Sequence, residues 1–431
     1  MLTEGLNVNE KGHLTIGGCD TVELAKTYGT PLYVMNEEVI RQALRTYVQS
    51  MEQYYPQGGR VAYASKACCF LEMYRIAAEE GCGSDVVSGG ELYTALRAGM
   101  PAEWLYFHGN NKPEGELRMA LEAGVGRIVV DNPAELRRLA ALARDMGKTA
   151  AILLRVTPGI DAHTHQFIRT GQIDSKFGLT LETGEALAAA REALTLEGVE
   201  LKGFHCHIGS QIFEVDPFVH AADVMLRFMD RVRQETGVTL TELNLGGGFG
   251  IRYTDKDQPK PYGDYMKQVS AAMNQTAQEL GFPLPFIILE PGRSVAAPAG
   301  ITLYTVGAVK SIPGVREYVS IDGGMADNPR YALYKSDYTV VAANRMREEN
   351  TRVMTVSGRC CESGDLIQEN VPLPACEHGD TLAVLGTGAY NYSMSSNYNR
   401  LPRPAIVMVR SGESRVVVKG ETYEDLIRND M

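Results

Sequence analysis

Between residues 60 and 290, eight short apolar runs alternate with helix-period segments, and no other feature narrows the fold as much. The runs are VAYAS (61–65), SDVVS (84–88), WLYFH (104–108), RIVVD (127–131), AILLRV (151–156), KGFHCH (202–207), ELNLG (242–246) and FIILE (286–290). The segments between them include FLEMYRIAAEEG, GGELYTALRAG, PEGELRMALEAG and PAELRRLAALARDMG. They carry apolar residues at i, i+3 and i+4 and close on glycine, which is how an amphipathic helix is punctuated. Strands separated by helices return in the same direction and so pair in parallel. Eight such units in about 230 residues match the count and size of a (β/α)8 TIM barrel. A doubly wound open sheet uses the same units. The barrel is preferred because the chemically informative residues fall at the carboxyl ends of most of the eight strands.

After about residue 298 the texture changes. ITLYTVGAV, REYVSID, YTVVAA, TRVMTVS, TLAVLG, AIVMVR and SRVVVKG are rich in β-branched residues and are separated by Gly, Pro or charged turns. Long helical segments are largely missing, which predicts an all-β, barrel- or sandwich-like C-terminal domain. The first 35 residues hold HLTIGG and PLYVM, strand-like pieces expected to join that domain. The division is therefore a barrel over 36–298 and an all-β domain formed by 1–35 plus 299–431.

Hydrophobic residues make up 44% and charged residues 22% of the 431-residue chain, an ordinary globular balance. The net charge of −11 argues against a nucleic-acid or anionic-membrane surface, although local arginines can still bind an anionic substrate. The opening MLTEGLNVNEKGHL has no apolar core, and no run approaches eighteen apolar residues, so a soluble cytoplasmic protein is expected. None of the eight cysteines forms a CxxC pair. They are expected to be reduced thiols, mostly buried, with Cys361 a functional exception.

Lys66 follows VAYAS at the end of the first strand. A lysine there is costly to bury, and desolvation would favour its nucleophilic amine, the state a Schiff-base lysine needs. Taken alone, a surface lysine opening the next helix is the better reading. Gly246, Gly247 and Gly248 follow the seventh strand, where backbone N–H groups can nest a phosphate; the plain alternative is a tight turn. EPGR (290–293) follows the eighth strand. Glu290 there could keep a pyridine nitrogen protonated, or simply pair with Arg293. His205 and His207 are expected to point to opposite sides of their strand, one facing a ligand while the other packs structurally, with no shared metal. GRCCESGD (358–365), GAYNYSMSSNYN (388–399) and DNPRYALY (327–334) are polar loops between apolar strands, each of which could be a solvated turn. Arg293 and Arg330 together could clamp carboxylates.

Taken together, these motifs resemble the alanine-racemase-fold (fold-type III) PLP decarboxylases. The resemblance runs from TPLYV (30–34) to RPAIVMV (403–409) and rests on GSDVVSGGEL, HTHQFIRTGQIDSKFG, FHCHIGSQ, LNLGGGFG, EPGRS, CESGD and GAYNYSMSSNYN. It implies a pyridoxal 5'-phosphate enzyme, a carboxy-lyase. The expected reaction converts meso-2,6-diaminopimelate to L-lysine and CO2, the last step of lysine biosynthesis. By position, Lys66 carries the cofactor, His207 stacks on its ring and Glu290 meets its nitrogen. Ser210, Gly246, Gly247 and Gly248 hold its phosphate. Gly292 belongs to the cofactor-contacting EPGR motif, and Arg293 in the same motif binds substrate or phosphate. Tyr390 contacts both phosphate and substrate. Arg330, Tyr334 and Glu362 hold the distal end of the substrate. Cys361 and Glu362 are donated across a subunit boundary, implying a homodimer with shared active sites. Cys361 or Lys66 is the expected proton donor at Cα. Asp85 and Glu91 match acids near the cofactor, and Lys176 and Asp365 match a pair that bridges subunits.

The chain departs from the family pattern at Cys68, where Asn is frequent, at Tyr331, where Pro is frequent, and at Arg169, where a small residue is common. All three are read as tuning. Two rivals remain at this stage. A racemase on the same fold would favour an arginine beside the ring nitrogen, which Glu290 opposes. A non-catalytic relative would usually have lost cofactor ligands.

Overall fold

Every one of the eight apolar runs is a strand. They span Gly59–Ala64, Gly83–Val86, Leu105–Phe107, Arg127–Val130, Ala150–Thr157, Val199–His205, Glu242–Asn244 and Phe286–Leu289. Each pairs in parallel with the next, and the last pairs with the first through Ile287 opposite Gly59, so the sheet closes into a barrel. The open-sheet alternative is thereby excluded. This computed structural model describes residues 2, 4–160 and 176–431.

The chain divides into two compact units. One comprises Ala43–Gly250 with Pro259–Arg293, and the other comprises Met1–Gln42, Ile251–Gln258 and Ser294–Met431. The excursion Ile251–Gln258, which falls within the 36–298 range assigned to the barrel from sequence, packs with the second unit.

In the barrel unit the helix punctuation is realised as read. The four segments form Leu71–Glu79, Gly89–Arg97, Glu114–Ala123 and Pro133–Asp145. Ser88 and Asn132 accept hydrogen bonds from the backbone N–H three residues on, and Pro133 fills the first helical position. Gly124 closes its helix in the left-handed region (φ 73°), bonding the carbonyls of Ala120 and Leu121, a conformation that costs an L-residue energy. Ala62, Tyr106, Val129, Leu153 and Ile288, from five different strands, form one buried cluster, as expected where strands contribute residues to layers inside a barrel. The loop after the third strand buries a cation: Lys112 is 1% exposed and donates to Gly109 O (2.8 Å), Val129 O (2.6 Å) and Glu135 Oε1 (2.6 Å).

The second unit is mostly β. A long strand, Gly300–Ile312, pairs antiparallel with Arg316–Ile321, Thr381–Leu385 and the N-terminal strand Leu32–Asn36, which itself pairs in parallel with Ala405–Arg410. Leu14–Ile16 lies in a separate three-stranded sheet. Its Leu14 and Ile16 side chains share a core with Leu32, Val34, Ile301, Leu303, Leu385, Val407 and Val409. The N-terminal segment therefore belongs to the β fold, as its pattern implied. The short strands Leu6–Val8 and Cys19–Asp20 and the longer Leu366–Leu373 went unseen in the sequence; the last pairs antiparallel with Arg352–Ser357. Its centre is the polar QEN, and Asn370 adopts a positive φ of 56°, so strict alternation is broken and only Ile367, Val371 and Leu373 are buried.

Candidate active site

The carboxyl ends of the barrel strands gather most of the residues singled out from sequence. Lys66 sits in a 3-10 turn, Ser65–Ala67, directly after the first strand. Its side chain is exposed, so the desolvation expected at this position is not supplied within the single chain. Ser65 orients the surroundings: its N–H donates to Asp85 Oδ1 (3.2 Å) and its hydroxyl to Glu91 Oε2 (3.0 Å). The N–H of Val87 also donates to Glu91 Oε2, at 2.7 Å. Burial pushes both carboxyls up, Asp85 well above its usual range, where nearby Glu290 adds to the effect and the charge of Lys66 opposes it.

Glu290, at the end of the eighth strand, is 7% exposed and surrounded by donors. His108 Nε2 lies 2.7 Å from Oε1, Asn244 Nδ2 lies 2.6 Å from the same oxygen, and His205 Nε2 lies 3.1 Å from Oε2. Burial alone would raise this carboxyl. The hydrogen bonds donated by the two imidazoles outweigh it and hold Glu290 below the ordinary carboxylate range. The imidazoles are themselves held neutral by burial, His205 down to about 3. With an anionic acceptor before them, both present Nε2–H. Glu290 is thus an anion satisfied by neutral donors, and the reading that pairs it with Arg293 does not hold.

His205 corrects a second expectation. Residues two apart share a strand face, and His205 enters the Glu290 cluster instead of packing apart from the site. His207 is half-buried; burial, then the charge of Lys66, drives its imidazole well below the ordinary range. The Gly247 N–H points to its Nδ1 at 3.4 Å. His108, His205 and Glu290 bring three potential ligand atoms within 4.8 Å of one another, but their short contacts are hydrogen bonds within the set.

The glycine run is required by packing as well as by any ligand. A Cβ on Gly247 would lie 2.0 Å from Glu290 O, and one on Gly248 would lie 2.4 Å from Gly209 O. Gly246 (φ 68°) donates its N–H to Asn244 Oδ1 at 2.9 Å, whereas the Gly248 N–H has no protein acceptor among the described residues. Arg293, 6% exposed, donates to Ser210 Oγ from Nε (3.2 Å) and Nη2 (2.9 Å), bringing these two candidates together beside the run's neighbour Gly209. A Cβ on Gly292 would lie 2.8 Å from Ala64 Cβ, so that glycine lets the eighth-strand loop close against the turn that carries Lys66.

The candidates in the β unit have a different character. Arg330 is 7% exposed, and its Nε has no hydrogen-bond partner among the described residues. Its guanidinium carbon lies 5.6 Å from the ring centres of Tyr334 and Tyr390 and 5.8 Å from that of Tyr253, a cation boxed by three aromatic faces. Tyr390 holds a positive φ of 62°, an uncommon conformation for a tyrosine. Cys361 and Glu362 are exposed, Cys361 donating its N–H to Asn399 Oδ1 (2.7 Å). Asp365 is 3% exposed, and its oxygens accept from the N–H groups of Met325 (2.6 Å) and Cys360 (2.7 Å). It pins the Cys361 loop, while Lys176 is exposed. None of the eight cysteines forms a disulfide; Cys361 is exposed, Cys69 is half-buried and the others are buried. Cys68 is buried and Tyr331 donates its hydroxyl to Glu369, while Arg169 lies outside the described residues.

Sequence reasoning missed three residues here. His108 closes the run WLYFH and Asn244 lies inside LNLGGG, each at a strand's carboxyl end, which was the available signal. Tyr253 offered none, because its partner Arg330 is 77 positions away in sequence.

Comparison with known proteins bears on this geometry. Residues 39–297 match the model of the pyridoxal-dependent decarboxylases, pyridoxal binding domain. Diaminopimelate decarboxylase of Bacillus subtilis (strain 168) is 50% identical over 425 residues, 98% of this chain and 96% of that protein. The enzyme of the same name from Halalkalibacterium halodurans is 50% identical over 424 residues, covering 98% and 96%. The crystal structure of diaminopimelate decarboxylase from M. jannaschii in complex with L-lysine superposes with a TM-score of 0.92 at 36% identity, covering 100% of this chain and 99% of that one. An anionic carboxylate, a glycine run and a lysine at the ends of one closed barrel are the donor set that a pyridine ring with a phosphate arm requires. The chain belongs to the pyridoxal-dependent decarboxylase family, within its diaminopimelate decarboxylases.

Proposed function

We infer that this chain uses pyridoxal 5'-phosphate to decarboxylate meso-2,6-diaminopimelate to L-lysine and CO2. The observation that carries the inference is Glu290, kept anionic at the end of the eighth strand by three convergent donors. When bound, the cofactor supplies an electron sink for the pair released as the Cα–carboxylate bond breaks.

The chain's own residues do the rest. Lys66 Nζ carries the cofactor, Glu290 holds a proton at its ring nitrogen, and His207 packs against its ring. Gly246 to Gly248, Ser210, Gly292 and Tyr390 hold its phosphate end, with Asp85 and Glu91 orienting the Lys66 turn. The far end of diaminopimelate is itself an amino acid, so its pocket needs cations and an anion. Arg293, Arg330 and Tyr334 suit the carboxylate, and Glu362 suits the ammonium. A substrate ending in a simple amine has no use for two arginines. Lys66 Nζ or Cys361 Sγ delivers the proton to Cα after CO2 departs. Cys361 and Glu362 are exposed within the single chain, which fits donation to a neighbouring copy in a homodimer with shared sites. Among the described residues no helix is long and apolar enough to cross a membrane, and a cytoplasmic location is part of this proposal.

The test is CO2 release by the purified protein with added cofactor, from meso-diaminopimelate, L-ornithine, L-arginine, carboxynorspermidine and D-lysine in parallel. Turnover of diaminopimelate above all others is expected. Inactivity on it with turnover of another compound overturns the reading.

A further inference from the structure

The proposed function gives Glu290 and the glycine run two separate contacts, one with a ring nitrogen and one with a phosphate. Here a single side chain joins them. Asn244, fully buried at the end of the seventh strand, donates from Nδ2 to Glu290 Oε1 at 2.6 Å and accepts at Oδ1 from the Gly246 N–H at 2.9 Å. Only an amide makes both bonds without taking up a proton, since an ionised aspartate has no donor for the carboxylate and an alanine has neither group. The backbone repeats the tie: the Glu290 N–H donates to Gly246 O at 2.8 Å. His108 Nε2 donates to the same Oε1 at 2.7 Å, so that oxygen has two donors, whereas Oε2 has His205 alone at 3.1 Å. A carboxylate oxygen accepts two hydrogen bonds comfortably, which leaves Oε2 with room for one more donor.

We propose that Asn244 is a positioning residue that locks Glu290 to the glycine run, with His108 as its co-donor, so that Oε2 is the oxygen presented to the cofactor's ring nitrogen at a fixed distance from the phosphate cradle. The proposal rests on the reading of Glu290 as the ring-nitrogen partner. Loss of either donor frees the carboxylate to rotate, and the loss of Asn244 also frees the Gly246 N–H.

Asn244→Asp is the same size and so preserves packing. It is expected to weaken cofactor binding, measured by equilibrium dialysis, by about tenfold or more, the scale of a lost buried bond to a charged group. It is also expected to diminish the visible circular dichroism of the bound cofactor, which reports a fixed orientation. The value of kcat should fall by a similar factor while KM for diaminopimelate changes by less than about threefold. His108→Gln, which keeps a donor within reach of Oε1, should stay near the native values in all three measurements, and His108→Leu should resemble Asn244→Asp. Native affinity and dichroism in both Asn244→Asp and Asn244→Leu, which has neither donor nor acceptor, or identical behaviour of the two His108 variants, overturns the proposal. Glu290→Gln separates the two levels. If it leaves kcat and cofactor binding unchanged, the underlying reading of Glu290 falls. If it impairs them while neither Asn244 variant does, only the role of Asn244 falls.

Discussion

The barrel unit and the β unit hold their candidate residues in opposite ways. At the barrel mouth the groups are already bonded to one another: Glu290 to His108, His205 and Asn244, and Arg293 to Ser210. In the β unit Cys361 and Glu362 stand exposed, and buried Arg330 keeps an unpartnered Nε inside a ring of tyrosines. A preorganised site costs little to order when its ligand arrives, because the ordering was done on folding. On the proposed function, what completes the β-unit residues is a substrate carboxylate for Arg330 and a second copy of the chain for Cys361 and Glu362.

The sharpest way to break this comparison is Lys66→Ala. Its activity should fall by about a thousandfold or more, with far-UV circular dichroism unchanged, because the substitution removes the covalent attachment point and leaves the bonded network intact. A variant of comparable activity would show that the barrel mouth is not the reacting centre. Next in size is Cys361→Ala, expected to lower kcat roughly 10- to 100-fold. Mixing it with Lys66→Ala and allowing subunits to exchange should restore about a quarter of native activity, since half of the dimers regain one native site. No recovery would place Cys361 in its own chain's site or outside any site.

Stability offers a subtler contrast. Lys112 and Glu135 are 1% and 0% exposed and face each other at 2.6 Å. Lys112→Ala leaves that carboxylate buried and alone, and should cost about 3–5 kcal/mol in denaturant unfolding. The double change to methionine and leucine should cost much less. The β unit has a matching buried acid without a cation. Asp327 accepts from the Tyr304 hydroxyl and from the Gly324 N–H at 2.9 Å, and burial raises its carboxyl from 3.8 to about 7. A carboxyl raised on folding contributes stability in full below its unfolded value, and that contribution is lost as the pH climbs through about 7. The melting temperature should therefore fall by a few degrees between pH 6 and pH 8, and Asp327→Asn should flatten the decline. A pH-independent melt in the native chain would show that this carboxyl is not perturbed.

The strand count and helix ends were legible in the sequence because both depend on local pattern. An apolar run needs a strand's length, and a glycine such as Gly124 marks where an L-residue would be strained. Lys66, Glu290 and the glycine run were legible for a related reason, since each stands at or directly after the end of such a run. Asn244 and His108 were not. Their meaning depends on Glu290, which is 46 and 182 residues away and reaches them only through barrel closure. The strand Leu366–Leu373 was hidden by its polar centre and the bulge at Asn370. Tyr253 illustrates the same limit: eight residues within the barrel's stretch of sequence pack with the other unit, and nothing in IRYTDKDQ announces it.

The central claim is that the barrel mouth carries the cofactor on Lys66. Borohydride treatment of the protein with bound pyridoxal 5'-phosphate, followed by proteolysis and mass spectrometry, tests it most directly. The account expects the cofactor's mass fixed on the peptide that contains Lys66 and on no other. The same mass on Lys112, Lys176 or any other lysine, with the Lys66 peptide unmodified, would contradict it.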